Sequence, residues 1–129
     1  MTKRVLVVED DPVIRTAMLS YLNALGLNCY AVTTGEESVD LAEYFDLVLM
    51  DVELPGISGV EATQMIRRRE QKRGLDEVPI IATTSNDNRE ECIAAGMNDH
   101  HMKPIKLQNL GAILKEWMSE SQPKLRLLS

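Results

Sequence analysis

Acidic and other polar residues stand at the ends of apolar runs in this sequence. Glu9, Asp10 and Asp51 each follow such a run, Thr84 ends a third, and Lys103 follows a weaker one. Clustered carboxylates repel one another unless a cation joins them, and an oxygen-only set without His or Cys suits Mg²⁺. With Asp51 as nucleophile, and with the Thr84 hydroxyl and the Lys103 ammonium on the phosphoryl oxygens, these residues contain the parts needed for phosphoryl transfer.

These side chains can act together only if the fold brings them to one edge. Five short apolar runs alternate with helix-like stretches, which is typical of a βα repeat. In an open parallel sheet, ligands bind beyond the carboxyl ends of the strands. The sequence therefore predicts an α/β fold with a parallel sheet covered by helices on both faces. The predicted strands are 5–8, 29–32, 47–50, 80–82 and a weak one around 101–102.

Capping residues mark where the helices begin. Asp11 followed by Pro12 predicts the start of the first helix, which Gly26 ends. An apolar stripe from Leu107 to Trp117 predicts the fifth. Capping-box spacing begins helices two and three, and a looser pair begins helix four: Thr34 with Glu37, Ser58 with Glu61, and Asp87 with Glu90.

Length and composition exclude several classes of protein. At 129 residues the chain forms one domain, and its net charge of −6 excludes a basic nucleic-acid-binding face. No apolar run is long enough for a membrane span or a signal peptide, so we expect a cytoplasmic protein. Cys29 and Cys92 lack metal-site spacing and are expected to be reduced thiols without chemistry. The oligomeric state stays open, with a monomer expected.

Two further segments have simple interpretations. The basic cluster between Arg67 and Arg73 could dock an acidic partner, but favourable charge on a solvated helix end explains it better. Residues 119–129 contain Pro123 and no periodic pattern, which indicates a tail or the start of a linker after a domain at 4–118.

Four motifs together resemble the receiver domain of two-component response regulators. Taken singly, each polar residue has a plainer explanation as a loop, cap or surface charge, so their joint order along the chain carries the resemblance. The motifs are Val7-Val8-Glu9-Asp10-Asp11, Leu49-Met50-Asp51-Val52-Glu53-Leu54-Pro55-Gly56, Pro79-Ile80-Ile81-Ala82-Thr83-Thr84, and Gly96-Met97-Asn98-Asp99 with Lys103-Pro104. The resemblance implies a five-stranded, flavodoxin-like (CheY-like), doubly wound fold.

The resemblance also assigns roles to individual residues. It implies that Asp51 is the phosphoacceptor, that Thr84 is the switch hydroxyl and that Lys103 contacts the phosphoryl group. Glu9, Asp10 and Asp51 would hold Mg²⁺ together with the backbone carbonyl of Glu53. The Glu53 side chain would lie near the attacking water and influence the phosphoryl lifetime. The Lys103-Pro104 peptide is expected to be cis.

Two departures from the family pattern concern the switch. His100 stands where the family usually has an aromatic switch residue, and it either acts as a modified switch or simply packs or points to solvent. The stretch from Thr84 to His100 is about one helical turn shorter than usual, which predicts a short or displaced helix four.

The implied function is a phosphoacceptor signalling domain, not an enzyme acting on other substrates. A histidine kinase or a histidine phosphotransfer protein would donate the phosphoryl group, and phosphorylation would change partner binding or relay the group onward. The style of residues 96–104 resembles receivers of hybrid kinases, although a free-standing regulator fits equally. The alternatives are a receiver-shaped docking module that does not use phosphate and a phosphatase with an aspartyl nucleophile.

Overall fold

The computed structural model describes residues 3–118 as a parallel sheet flanked by helices. The sheet has five strands in the order β2-β1-β3-β4-β5. The strands are β1 (Arg4–Val8), β2 (Asn28–Val32), β3 (Leu47–Asp51), β4 (Ile80–Thr84) and β5 (Asp99–Met102). The helices are α1 (Pro12–Ala24), α2 (Gly35–Leu41), α3 (Gly59–Arg73), α4 (Arg89–Ala95) and α5 (Leu107–Trp117), with a short 3-10 helix at Ala42–Tyr44. The predicted α/β, doubly wound fold is confirmed, and the predicted tail at 119–129 lies outside the described residues.

The sheet separates two apolar cores. Along β1, Leu6 and Val8 face the core beneath α2, α3 and α4, whereas Val5 and Val7 face the core beneath α1 and α5. All five residues of β3 are buried. A continuously apolar run is therefore the expected sequence of a central strand that is covered on both faces.

The helix starts match the capping predictions in three cases out of four. The Asp11 carboxylate accepts from the backbone amides of Val13 and Ile14, and Ser58 forms a complete capping box with Glu61. Thr34 caps α2 through the Glu37 amide. The predicted start of the fourth helix is wrong.

Helix α4 begins one residue later than the sequence indicated. Asn88, not Asp87, occupies its N-cap position, and the Asn88 side chain makes no capping hydrogen bond. The Asn88 amide oxygen lies instead 3.1 Å from the ring of His100, which accounts for the missing cap. The helix has seven residues, consistent with the shortened segment.

The interpretation of the basic cluster as a solvated helix end is wrong for Arg67. Its side chain is buried and donates to Glu70, to the Asn98 side chain and to the Gly96 carbonyl. Glu70 also accepts from the Val78 amide. Arg67 therefore ties α3 directly to the turn after α4 and, through Glu70, to the loop before β4.

The described helices are short. Within residues 3–118, none combines the length and apolar composition needed to cross a membrane.

Candidate functional site

Three carboxylates meet at the carboxyl edge of the sheet. Strands β1 and β3 are neighbours, so the residues after Val8 lie beside the end of β3. One carboxylate oxygen from each of Glu9, Asp10 and Asp51 lies within 4.8 Å of the others. Glu9 and Asp51 are 3% and 1% exposed, whereas Asp10 is open to solvent. This cluster can receive a cation from the solvent side.

The backbone around the acid pair is fixed by two contacts that the sequence analysis missed. The Asp11 amide donates to Glu9 Oε2 over 3.1 Å. The Arg15 guanidinium donates to the carbonyls of Glu9 and Asp10, at 3.1 and 3.2 Å. The signal that could have revealed this contact is the position of Arg15 in the first turns of α1, one helical turn after the loop it contacts.

Lys103 supplies the positive charge within the cluster. Its Nζ lies 3.0 Å from Asp51 Oδ1 and 3.0 Å from Glu9 Oε1, and its side chain is 14% exposed. Its backbone amide donates to the Thr84 carbonyl over 2.8 Å, and the following Lys103-Pro104 peptide is cis. Burial alone would lower the pKa of Lys103, but its hydrogen bonds to Asp51 and Glu9 outweigh burial and raise that pKa.

The electrostatic balance at Asp51 favours an added cation. Burial raises the pKa of Asp51 to about 7, with Glu9 adding to the rise and Lys103 opposing it. One ammonium therefore does not fully neutralise the buried acids. An all-oxygen set of three carboxylates beside an open approach through Asp10 fits Mg²⁺, which binds through few carboxylates and keeps several waters.

The loop after β3 packs directly against the backbone of Asp51. At Gly59, the first residue of α3, an added Cβ would lie 2.2 Å from the Asp51 carbonyl oxygen. The Gly59 amide donates to the Val52 carbonyl over 3.0 Å, and the Glu53 amide donates to Asp51 Oδ1, also over 3.0 Å. The glycine is therefore required by this close approach, which fixes how the Asp51 carboxylate is presented.

Thr84 is at the predicted edge, but its partner is not one that the sequence identified. Its fully buried side chain donates from Oγ1 to Glu53 Oε2 over 2.5 Å. The Ser85 amide donates to the other oxygen of the same carboxylate over 2.8 Å, and the Asn86 amide donates to Thr84 Oγ1 over 3.1 Å. In the register between β3 and β4, Asp51 is opposite Thr83. Glu53 lies beyond this paired register, and its side chain makes the contact with the end of β4.

His100 contacts the loop before α4. Its Nε2 lies 3.3 Å from the Asn86 carbonyl oxygen and 3.1 Å from Asn88 Oδ1. Because both neighbours are acceptors, the geometry favours a proton on Nε2. His100 is therefore linked to Thr84 through Asn86. The Asn86 carbonyl contacts the His100 ring, and the Asn86 amide donates to the Thr84 hydroxyl.

Comparison with known proteins agrees with this geometry. Residues 5–115 match the model of the response regulator receiver domain, and the chain belongs to this family. It is 35% identical over 119 residues to the sensor protein GacS of Pseudomonas syringae pv. syringae, which covers 88% of this chain but only 13% of that protein. Other relatives are hybrid signal transduction histidine kinases of Dictyostelium discoideum.

Two solved receiver structures are especially informative. The receiver domain of sensor histidine kinase PA1611 from Pseudomonas aeruginosa PAO1 holds a magnesium ion in its active-site cleft. It is 40% identical, with a TM-score of 0.82, and the match covers 93% of this chain and all of that one. The receiver domain of Ssk1 from Saccharomyces cerevisiae, crystallised with the histidine phosphotransfer protein Ypd1, is 28% identical with a TM-score of 0.85, covering 90% of this chain and 88% of that one.

Proposed function

We propose that this domain accepts a phosphoryl group from a phosphohistidine onto Asp51, with Mg²⁺ bound, and that phosphorylation changes what the domain binds or passes the group onward. The observation that carries the proposal is the position of the buried Asp51 carboxylate, 3.0 Å from Lys103 Nζ and within a cluster of acids. We take residues 4–118 as the receiver unit.

In the proposed phosphoryl transfer, Asp51 is the nucleophile. A carboxylate oxygen of Asp51 attacks the phosphorus in line, a new P–O bond forms, and the P–N bond to the donor imidazole breaks. The Lys103 ammonium, held beside Asp51, neutralises charge on the phosphoryl oxygens. Glu9, Asp10 and Asp51, with the Glu53 backbone carbonyl, would hold Mg²⁺. When bound, the ion supplies charge neutralisation and a template for the phosphoryl oxygens.

The switch is proposed to involve Thr84 and His100. Once Asp51 carries a phosphoryl group, the Thr84 hydroxyl donates to a phosphoryl oxygen, and the attached loop through Asn86 moves with it. Because His100 contacts both Asn86 and Asn88, its ring would shift with this loop and change the position of the start of α4. This is a shift between two populated states, as expected for a signalling domain.

The donor is proposed to be a histidine kinase or a histidine phosphotransfer protein. The Ssk1 receiver was crystallised with such a phosphotransfer protein, and the relatives include hybrid kinases, which supports this class of donor. The chain spans about a tenth of the length of those relatives, so both a hybrid-kinase setting and a separate regulator are compatible with the proposal.

The test measures adduct formation at Asp51. Wild type and Asp51→Asn are incubated with beryllofluoride, or with acetyl phosphate for intact mass, with and without Mg²⁺. Asp87→Asn, which changes an exposed aspartate outside the cluster, serves as the matched control. We expect a Mg²⁺-dependent adduct in wild type and Asp87→Asn that is absent in Asp51→Asn. No adduct in wild type would favour the inert docking module, and turnover of a phosphate ester would favour the phosphatase.

A further inference from the structure

The Glu53 side chain accepts from the Thr84 hydroxyl, which the proposed function assigns to a phosphoryl group on Asp51, and from the adjacent Ser85 amide. Thr84 Oγ1 and the Ser85 amide both donate to the two oxygens of this one carboxylate, at 2.5 and 2.8 Å. Two donors that converge on a single anionic group form a small oxyanion-binding site. In the unphosphorylated protein the Glu53 carboxylate of the chain itself already fills this site.

Proton counting makes the two anions mutually exclusive at Thr84. A hydroxyl has one hydrogen, and the Thr84 hydroxyl gives it to Glu53 while accepting from the Asn86 amide. The hydroxyl can therefore donate to a phosphoryl oxygen only after its bond to Glu53 breaks. Thr84 is fully buried while Glu53 is bound, so the carboxylate covers the hydroxyl that it accepts from.

The Glu53 side chain can leave this site toward the solvent. Glu53 and Ser85 are both exposed to solvent, whereas Thr84 is not. A released carboxylate would be hydrated outside the site, which keeps the cost of release modest. The Glu53 backbone amide donates to Asp51 Oδ1 independently of the side chain, so release of the side chain does not require this bond to break.

We propose that Glu53 is a built-in competitor for the phosphoryl group, a latch that holds Thr84 and Ser85 until phosphorylation displaces it. This inference rests on the proposed function, because it names the group that competes at the same site. It makes Glu53 a positioning residue that sets how readily the switch closes. The phosphoryl group must break two charge-assisted hydrogen bonds before it gains its own.

Substitutions at Glu53 test the latch in graded steps. Glu53→Ala removes both acceptor oxygens, whereas Glu53→Gln keeps the size but leaves a single acceptor for two donors. We expect the affinity for beryllofluoride with saturating Mg²⁺ to rise about threefold to tenfold in Glu53→Ala, with Glu53→Gln in between. Glu90→Gln removes an exposed charge from the first turn of α4 and controls for net charge, with no expected change.

A second measurement examines the latch without any phosphoryl mimic. Amide hydrogen exchange at Ser85 in the free protein should be faster in Glu53→Ala than in wild type, because its acceptor is gone. The affinity for Mg²⁺ alone is measured in parallel and should not rise in Glu53→Ala, because the loss of a carboxylate removes an attraction for the cation.

The outcomes separate the latch from the proposed function. Tighter beryllofluoride binding and faster Ser85 exchange support the latch. Equal affinities in wild type and Glu53→Ala, with an adduct in both, overturn the latch and leave the proposed function standing. A gain that is as large in Glu53→Gln as in Glu53→Ala also overturns it, since loss of the negative charge then explains the effect. No adduct in either protein overturns the proposed function and the competition together.

Discussion

Lys103 Nζ lies 3.0 Å from Asp51 Oδ1. The contact joins the end of β3 to the residue after β5, although these strands are separated in the sheet by β4. The ammonium thus lies where an incoming metal would also place positive charge. A proton, an ammonium and a divalent cation all stabilise the same buried carboxylate, so the affinities for them are linked.

The first prediction concerns Mg²⁺ binding and pH. Burial raises the pKa of Asp51 to about 7, so below that pH the proton and the metal compete for the same carboxylate. We expect the affinity for Mg²⁺ to fall about tenfold per pH unit below pH 7 and to level off above pH 8. NMR titrations of Mg²⁺ between pH 5.5 and about pH 8.5 measure this dependence.

Asp51→Asn is the control for this pH dependence. It removes the titrating carboxylate, so the steep dependence around pH 7 should disappear together with much of the affinity. A wild-type affinity that stays constant between pH 6 and about pH 8 would show that Asp51 is already ionised in the free protein.

The second prediction is that Lys103→Met has opposite effects on the metal and on the phosphoryl mimic. Methionine keeps much of the apolar stem but removes the ammonium from between Asp51 and Glu9. Well above the pKa of Asp51, where no proton competes, Mg²⁺ should then bind about tenfold more tightly, because a competing cation is gone. Beryllofluoride should bind more weakly, because its oxygen-like fluorines lose a donor.

The comparison variant is Lys106→Met, which removes an exposed positive charge near the start of α5. Both affinities should change less than twofold in that variant. If Lys103→Met weakened both ligands equally, Lys103 would act by holding the loop in place and not by its charge.

The sequence predicted the sheet and the edge at which the acidic residues meet because local patterns determine both. The uninterrupted apolar run of β3 indicates a strand covered on both faces, and Asp51 at its end then lies at the carboxyl edge of the sheet. The α1 cap at Asp11 was equally local. Each of these features depends on residues that are close together in the sequence.

Contacts between distant segments could not be predicted in the same way. The bond from Thr84 to Glu53 joins residues 31 positions apart, and the bond from Arg67 to Asn98 does the same. An exposed glutamate or an arginine in a basic run has many possible partners, and only the packed structure selects one. The start of α4 was also mispredicted, because the Asn88 side chain contacts His100, which lies in a different element, β5.

The third prediction concerns the buried Arg67. Arg67→Met should lower the free energy of unfolding by about 3–5 kcal/mol, because Glu70 keeps a buried charge without its partner. Arg68→Met changes an exposed neighbour on the same helix and should stay within about 0.5 kcal/mol of wild type. Urea unfolding measures both values.

A second substitution separates charge from packing at this position. Glu70→Gln added to Arg67→Met removes the unpaired charge and still leaves an oxygen for the Val78 amide, so part of the lost stability should return. Equal losses for Arg67→Met and Arg68→Met would mean that the network of Arg67 contributes nothing to stability.

The last prediction contrasts two glycines at helix positions. At Gly59 an added Cβ would lie 2.2 Å from the Asp51 carbonyl oxygen, which is backbone and cannot move aside without displacing Asp51. At Gly111, inside α5, an added Cβ meets nothing within 4 Å. Gly59→Ala should therefore cost stability and weaken Mg²⁺ binding, whereas Gly111→Ala should stabilise the fold by about 0.5–1 kcal/mol, since alanine is the better helix former. Urea unfolding and Mg²⁺ titration of both variants test the contrast. Wild-type metal affinity in Gly59→Ala would mean that the loop after β3 can shift without moving the Asp51 carboxylate.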